Sequence, residues 1–321
     1  MNIEELKQSV VLPVIVAPMF LVSGSKLVIA SCQNGLVGTL PSLNGRTADD
    51  FEQLLIEITT ALNKFEKDTG VKPAPFGVNL IVNKTNPRLM TDLAICVKYK
   101  VPLIITSLGA VKEVVDTVHG YGGLVFHDVI KKRHAEKAIA SGVDGIIAVS
   151  SGAGGHAGTA NPFALVEEIR SFYDGTLVLA GAMTKGKHIL AAQTMGADLV
   201  YMGTKFIATE ESLAQSEYKN MLVAAHIEDV VYTDAVSGVH ANFLLPSIVK
   251  SGVDLTQKRE ENFSELSGDK GSAWKDIWSA GQATTAIDKI ESVNVVSEKL
   301  KKEYKTALLE NQQKIKLLKF S

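Results

Sequence analysis

A glycine-rich run from Ser150 to Thr159, SSGAGGHAGT, holds the densest group of residues that could do chemistry in this chain. Its glycines can adopt left-handed backbone angles, and they place no Cβ between the backbone and a bound ring. They are Gly152, Gly154, Gly155 and Gly158. His156 is the one side chain of the run that transfers protons near neutral pH. A flexible loop with a surface histidine is the alternative, but the glycines around one histidine favour a catalytic loop.

Two more glycine-containing segments, AGAMTKG and YMGTKF, each follow an apolar run. Gly181 and Gly203 leave room there for phosphate oxygens, and Thr204 adds a hydroxyl donor. Tight turns are the alternative reading of both glycines. Asn79 also ends an apolar run, where its amide could donate to and accept from a ring edge, or cap a turn. His127 ends another run and is equally well explained as a structural histidine, whereas His134 lies in a helical pattern and is expected to be solvated.

The secondary-structure elements that must position these residues alternate regularly along the chain. Short runs rich in Val, Ile and Leu alternate with longer amphipathic stretches from residue 11 to about residue 210. Such runs predict buried parallel strands covered by helices, an α/β fold. They span residues 11–19, 36–42, 75–82, 101–109, 123–130, 143–151, 175–183 and 197–204. Eight units predict a closed (β/α)8 TIM barrel, with an open doubly wound sheet as the alternative, and place the site at the carboxyl ends of the strands.

Beyond residue 210 the alternation stops. We predict a barrel over residues 1–210 and a lid-like C-terminal addition over residues 211–321, which packs on the barrel and closes the active site. Within the addition, the polar stretch 256–272 is interpreted as a loop, and the chain closes with a helix. The apolar sequence FLLPSIV is either packing for the lid or the surface of a homodimer.

The composition of the chain excludes several classes of function. Hydrophobic residues make up 46% of the chain, charged residues 21%, and the net charge is -2, so there is no basic footprint for nucleic acid or anionic lipid. Two cysteines form neither a disulfide framework nor a metal-ligand pattern. The N-terminus lacks the features of a signal peptide, and no apolar run is long enough to span a membrane. A cytoplasmic protein acting on a small molecule is expected.

An ordered set of motifs resembles the nitronate monooxygenase family, formerly called 2-nitropropane dioxygenases. The set comprises APMF, GVNLIVNKTNPRL, GAGGHAG, LAGAMTKGKHILAAQTMGADLVYMGTKFIATEES, SGVHANFLLPSI and WSAGQ, and it covers most of the chain. The family is similar in architecture to flavin-dependent enoyl-acyl carrier protein reductases and to a group of NADH:quinone reductases. The resemblance implies a TIM barrel that carries non-covalent FMN.

The resemblance also implies roles for individual residues. Pro18 and Met19 would lie against the isoalloxazine, Asn79 would hydrogen-bond to it, and Gly154 and Gly155 would approach it closely. The phosphate would be held by Gly181, Ala182, Gly203 and Thr204. His156 falls on the family's active-site histidine, and Gln282 would close the substrate pocket. Many relatives carry glutamate where this chain has Gly152, and others carry glutamine where it has Val149, so the polar surroundings of the ring differ here.

The function implied by the resemblance is FMN-dependent oxidation of an alkyl nitronate by O2 to a carbonyl compound and nitrite, with His156 hydrogen-bonding the nitro oxygens or moving a proton near neutral pH. An NAD(P)H-dependent FMN reductase acting on a quinone or an enoyl thioester is the alternative. GAGGHAG matches the Rossmann fingerprint only in part, but flavin barrels can bind nicotinamide without it. A flavin-binding protein without turnover is a third possibility.

Overall fold

Eight parallel strands close into a barrel in a computed structural model, which describes residues 1–83, 85–109, 112–257 and 275–317. Each strand pairs with the next, and the last pairs with the first through Ile15 and Tyr201. The strands are Val14–Val16, Val37–Pro41, Phe76–Ile81, Leu103–Ser107, Leu124–Val129, Gly145–Val149, Thr176–Ala180 and Leu199–Met202. Each falls within one predicted run, so the (β/α)8 barrel is confirmed and the open sheet is excluded.

Alternate residues of each strand serve two different cores, as the period of a strand requires. One set points into the barrel and packs together there, with Ile105, Phe126 and Ile147 among its members. The other set points outward and packs under the helices, as Ile104, Val125 and Ile146 do. Burial on both faces explains why the strands are apolar almost throughout.

Helices follow the strands and cover the outer face of the barrel. The longest of them after a barrel strand, Ala48–Thr69, begins at a Thr47 capping box and ends at Gly70, whose φ of 70° suits a left-handed C-cap. The α-helices are Ile3–Gln8, Ser25–Gln33, Ala48–Thr69, Leu89–Lys98, Lys112–Gly120, Lys132–Ala140, Pro162–Arg170, Gly186–Thr194, Thr204–Ile207, Ser216–Ala224, Leu245–Ser251 and Val293–Leu317. Within the described ranges, no helix is both long and apolar enough to cross a lipid bilayer.

The helix Val293–Leu317 takes the eighth helical position of the barrel. It packs between the helix after the seventh strand and the helix after the first strand. The contact with Gly186–Thr194 is close, since a Cβ added at Gly186 would lie 2.2 Å from the Tyr304 nitrogen. Glu303 accepts a hydrogen bond from the Gly186 N–H at 2.7 Å. Residues 208–292 therefore lie between the eighth strand and the eighth helix, and the domain division at residue 210 stays a prediction.

A small antiparallel sheet covers one side of the barrel mouth. Its strands are Val230–Thr233 and Ala241–Leu244 from the inserted segment, and Gly155–His156 from the loop after the sixth barrel strand. Sequence reasoning did not predict this sheet. Most of the polar stretch 256–272 lies outside the described residues, so its interpretation as a loop stays a prediction.

Candidate active site

A cavity of about 910 Å³ opens at the carboxyl ends of the barrel strands. The structure brings together ten of the residues that the sequence predicted. Those that line this one cavity are Pro18, Met19, Asn79, Gly154, Gly155, His156, Gly181, Ala182, Gly203 and Thr204. Gln282, also a described residue, is exposed and is not part of the lining, although its neighbours Gly281 and Ala283 are. The roles of all eleven residues stay predictions.

The glycine loop is held in place by the inserted segment. His156 pairs with Ala241 in the small sheet, and Gly155 pairs with Asn242. The Asn242 amide donates a hydrogen bond to the Ala153 carbonyl at 2.7 Å, and the Tyr232 hydroxyl donates to the Ala157 carbonyl at 2.9 Å. A loop rich in glycine would lose much conformational entropy on ordering. These bonds on both sides of His156 fix the loop in one conformation and orient the imidazole.

Residues 279–282 tie the inserted segment to two other loops of the site. The Gly281 N–H donates to the Thr204 hydroxyl at 2.8 Å, beside the eighth strand. The Gln282 N–H donates to the Gly152 carbonyl at 2.9 Å, after the sixth strand. Gly154 packs so tightly here that an added Cβ would lie 2.8 Å from the Gly281 nitrogen. The glycines therefore serve close backbone packing as well as access to the cavity.

Gly152 marks one departure from relatives, and the structure shows what occupies its place. Its φ is +81°, and an added Cβ would lie 2.9 Å from the Gln282 Oε1 atom. The side chain of Gln282 therefore fills the space that a side chain at position 152 would enter. Val149, the second departure, lines the cavity as an apolar residue.

His156 is half-buried within this arrangement, and its Nε2 atom is enclosed. Burial removes the imidazole from water and lowers its pKa to about 4, because the charged form loses more solvation than the neutral one. The expectation of an imidazole that titrates near neutral pH is therefore wrong. At physiological pH the ring is neutral, with one nitrogen as donor and the other as acceptor.

A polar layer forms the floor of the cavity. Asn79, Ser107 and Asp128 lie at or near the carboxyl ends of the third, fourth and fifth strands, and their positions alternate with outward-pointing residues, so they face the barrel interior. The Asn79 amide donates to the Ser107 hydroxyl at 2.8 Å, and that hydroxyl donates to Asp128 at 2.5 Å. Sequence reasoning placed all three at strand ends but assigned a role to Asn79 alone. A carboxylate inside the apolar run LVFHDVI was the available signal.

Burial raises the pKa of Asp128 to about 6, although the hydrogen bond from Ser107 opposes the shift. In the folded protein the carboxyl group holds its proton up to about pH 6, whereas the unfolded chain releases it near the ordinary value of 3.8. The folded state then binds more protons than the unfolded state in this window. Stability from this group is therefore present at low pH and lost as pH rises through about 6.

Replacing Asp128 with asparagine should remove this penalty. In flavin-free protein we expect the variant to gain thermal stability relative to the parent, and to gain more at pH 7.5 than at pH 4.5. Asparagine keeps an acceptor for Ser107 and cannot ionise. Thermal unfolding of both proteins across this range measures the difference. A gain that is the same at every pH would show that Asp128 ionisation does not destabilise the fold.

Two histidines, His127 and His134, lie beside the polar floor and are part of the cavity lining. His127 points outward and is buried, its Nδ1 atom lies 2.7 Å from the Thr106 hydroxyl, and burial lowers its pKa to about 4. His134 was expected to be solvated; it is half-buried and lines the cavity. The helix Lys132–Ala140 starts directly after the fifth strand, which turns its first residues toward the site. In the described ranges, no cluster of three or more potential metal ligands occurs.

The lining suits a flat aromatic ring with a phosphate tail. Pro18, Met19 and Val149 provide apolar surface, and the floor provides hydrogen-bonding groups at its edge. Gly181 and Ala182 both have positive φ, +134° and +54°, and the second value is strained for a residue with a Cβ. At Gly203 the helix Thr204–Ile207 begins without a side-chain cap, and the Phe206 and Ile207 N–H groups donate to the Gly203 carbonyl. The donor set and the close backbone approach fit a flavin nucleotide.

A closed parallel barrel with a glycine-lined cavity at its carboxyl face defines a TIM-barrel enzyme. The family model described as nitronate monooxygenase matches residues 87–303, which is more than half of the chain. The chain belongs to the nitronate monooxygenase family.

The curated relatives of this chain carry the names of different enzymes. A nitronate monooxygenase of Paraburkholderia phytofirmans is 24% identical over 75% of this chain and 76% of its own length. A Rhodococcus jostii enzyme named (3aS,4S,5R,7aS)-5-hydroxy-7a-methyl-1-oxo-octahydro-1H-indene-4-carboxyl-CoA dehydrogenase is 27% identical over 74% of this chain. The match spans 64% of the length of that relative.

Solved structures share the fold. Nitroalkane oxidase from Streptomyces ansochromogenes superposes with a TM-score of 0.81 at 23% identity, covering 95% of this chain and 99% of that one. FabK from Thermotoga maritima gives a TM-score of 0.77 at 23% identity, covering 97% and 98%. At this level of identity, both likenesses establish the architecture alone.

Proposed function

We propose that this protein oxidises alkyl nitronates with O2 to carbonyl compounds and nitrite, using non-covalent FMN. The observation that carries the proposal is a half-buried, neutral His156, fixed by sheet pairing at a glycine-lined cavity, in a member of the nitronate monooxygenase family. In the overall balance, two nitronates and one O2 give two carbonyl compounds and two nitrite ions, so each carbonyl carbon receives one oxygen atom of O2. FMN, when bound, supplies the electron transfer from the nitronate.

The residues of the chain divide the remaining work. Pro18 and Met19 would support the ring from one side, and Asn79 would bond its edge from the floor. Gly181, Ala182, Gly203 and Thr204 would hold the phosphate through backbone N–H groups and one hydroxyl. Residues 279–282 of the inserted segment exclude water by bridging the loops after the sixth and eighth strands.

The neutral state of His156 favours a particular form of the substrate. A base with a pKa of about 4 is too weak to take a proton from a neutral nitroalkane efficiently. A nitronate has already lost that proton and needs none removed. His156 can then donate a hydrogen bond to a nitronate oxygen as a neutral imidazole. We therefore expect the nitronate to be the reactive form.

Oxygen uptake by the flavin-loaded protein tests the proposal. We expect rapid uptake and nitrite release with a primary alkyl nitronate in the absence of NADH and NADPH, and much slower uptake with the parent nitroalkane at the same pH. Absence of uptake with the nitronate, together with bleaching of the flavin by NAD(P)H, would replace the proposal with a reductase. The carboxyl-CoA name of the Rhodococcus relative makes a thioester the first substrate to try in that case.

A further inference from the structure

The loop after the first strand, residues 17–24, contains a strained residue beside the cavity. We name this segment the first loop. Leu21 has a φ of +60°, a backbone angle that is rare for a residue with a branched, bulky side chain. Its neighbours in the loop that line the cavity are Ala17, Pro18, Met19, Phe20 and Val22. Such strain persists only where surrounding contacts hold it. The contacts that hold the first loop therefore determine the shape of the cavity wall.

The side chain of Asn44 holds the first loop by three hydrogen bonds. Its amide nitrogen donates to the Met19 carbonyl at 3.0 Å and to the Ser23 carbonyl at 2.8 Å. Its amide oxygen accepts from the Leu21 N–H at 2.9 Å. An uncharged amide is the side-chain group that supplies two donors and an acceptor together. Asn44 therefore spans the strained turn and bonds to it on both sides of Leu21.

Asn44 is itself anchored by the side chain of Arg88. Gly45, which follows Asn44 in the loop after the second strand, accepts a hydrogen bond from the Arg88 Nη1 atom at 2.6 Å. The Arg88 Nη2 atom donates to the Thr47 carbonyl at 3.1 Å and lies 3.0 Å from the Asp92 Oδ1 atom. Asp92 is fully buried. The guanidinium is thus fixed on one side by Asp92, and on the other side it fixes the backbone that carries Asn44.

Arg88 belongs to the motif GVNLIVNKTNPRL, of which the proposed function uses Asn79 alone. The Asn86 side chain donates to the Ile81 carbonyl at 2.9 Å and accepts from the Arg88 N–H at 3.0 Å. These bonds turn the chain after the third strand and place Arg88 at the start of the helix Leu89–Lys98. The end of the motif therefore anchors the loop after the second strand, which in turn holds the first loop.

Met19 links the first loop to the predicted phosphate site. Its N–H donates to the Ser23 hydroxyl at 3.0 Å, and its carbonyl accepts from Asn44, so both of its backbone polar groups are bonded. A Cβ added at Gly203 would lie 3.5 Å from the Met19 Sδ atom, which is ordinary van der Waals contact. A shift of the first loop would move Met19 relative to Gly203 and change the apolar wall of the cavity.

We propose that Asn44 is a positioning residue for the flavin. It holds the first loop in its strained conformation, so that Pro18 and Met19 present a fixed surface to the ring, and Arg88 holds Asn44 in place. A surface that is ordered before binding lowers the entropic cost of binding a ligand. The flavin part of this inference rests on the FMN of the proposed function, and the restraint on the first loop does not.

Asn44→Asp tests the inference with a nearly isosteric change. An ionised carboxylate still accepts from the Leu21 N–H, but it cannot donate to the two carbonyls and is repelled by them. We expect the FMN dissociation constant to rise at least about tenfold. The visible absorbance bands of the flavin that still binds should shift, because water reaches the ring. A loss of overall stability alone would leave the spectrum of bound flavin unchanged. Asn63→Asp, at an exposed position of the helix Ala48–Thr69, is the matched control.

Hydrogen exchange in flavin-free protein tests the restraint without the cofactor. The Val22 and Ser23 N–H groups donate to the Met19 carbonyl at 3.1 and 2.9 Å. In Asn44→Asp we expect these two amides to exchange at least about tenfold faster than in the parent, while amides of the barrel strands keep their rates. Asn44→Ala loses the same bonds without adding a charge, and it takes the place of the aspartate variant if that variant does not fold.

The two measurements separate the inference from the proposed function. Exchange rates at Val22 and Ser23 that match those of the parent would overturn the inference, and so would an unchanged FMN affinity and flavin spectrum. If the parent itself does not bind FMN, the proposed cofactor fails. The exchange rates then still decide whether Asn44 restrains the first loop.

Discussion

Replacing His156 with asparagine is expected to lower kcat for a nitronate by about 100- to 1,000-fold, the usual effect of losing one positioned hydrogen-bond donor. Asparagine is polar, fits the ladder with Ala241 through its backbone, and reaches less far into the cavity than imidazole. The flavin should remain bound, because the substitution leaves the backbone of the glycine loop in place and the predicted phosphate contacts come from other loops. Oxygen uptake gives the rate, and the visible spectrum gives the flavin content.

The kinetic pattern distinguishes this role from damage to the fold. We expect kcat to fall while KM changes little, which is typical of an interaction made mainly in the transition state. His226→Asn is the control, since His226 is exposed and lies outside the cavity lining, and asparagine can cap the turn Ile227–Asp229 in its place. Wild-type turnover by the His156 variant would remove this histidine from the mechanism.

Replacing Gly154 with alanine is expected to release the flavin and to destabilise the protein. The added Cβ would lie 2.8 Å from the Gly281 nitrogen and 3.1 Å from the Ala280 carbonyl carbon, and neither backbone atom can swing aside as a side-chain end can. Overpacking of this kind costs about 1–3 kcal/mol. The strain would fall on the bond between Gly281 and Thr204, beside the predicted phosphate site.

Flavin content and thermal unfolding measure both consequences. We expect the melting temperature to fall by several degrees, at about 2–4 °C for each kcal/mol, and flavin affinity to drop at least about tenfold. Gly120→Ala is the matched control, because a Cβ at Gly120 meets nothing within 4 Å and its backbone is helical. A Gly154 variant with full flavin and an unchanged melting temperature would mean that this loop yields without disturbing the site.

The barrel was predictable because each strand carries its own signal. Residues such as Ile104 and Ile105 face different cores, so both must be apolar, and the run stands out locally. Most of the cavity residues follow from the same pattern, since they come directly after strands. Asp128 could also have been predicted as a residue of the site, because an acidic residue within an apolar run is unusual.

Other features depend on contacts between distant parts of the chain. Nothing local in Gly155 and His156 specifies a strand, because their partners Asn242 and Ala241 lie far away in the sequence. The neutral charge state of His156 arises from loss of solvation in the folded protein. Nothing in the local sequence of the helix Val293–Leu317 assigns it to the barrel wall. The exposure of His134 likewise depends on where its helix begins relative to the cavity.

The position of residues 208–292 has a consequence for biogenesis and for engineering. The chain makes the cover of the cavity before it makes the helix Val293–Leu317, whose Val293, Val296 and Leu300 are buried in the barrel wall. During synthesis, this side of the barrel wall therefore stays open until residues 208–292 have been made and the helix Val293–Leu317 follows them. A stop codon placed after the eighth strand to uncover the site would also delete the helix Val293–Leu317, which forms part of the barrel wall. Only an internal deletion that rejoins the eighth strand to its helix can expose the pocket and leave the wall complete.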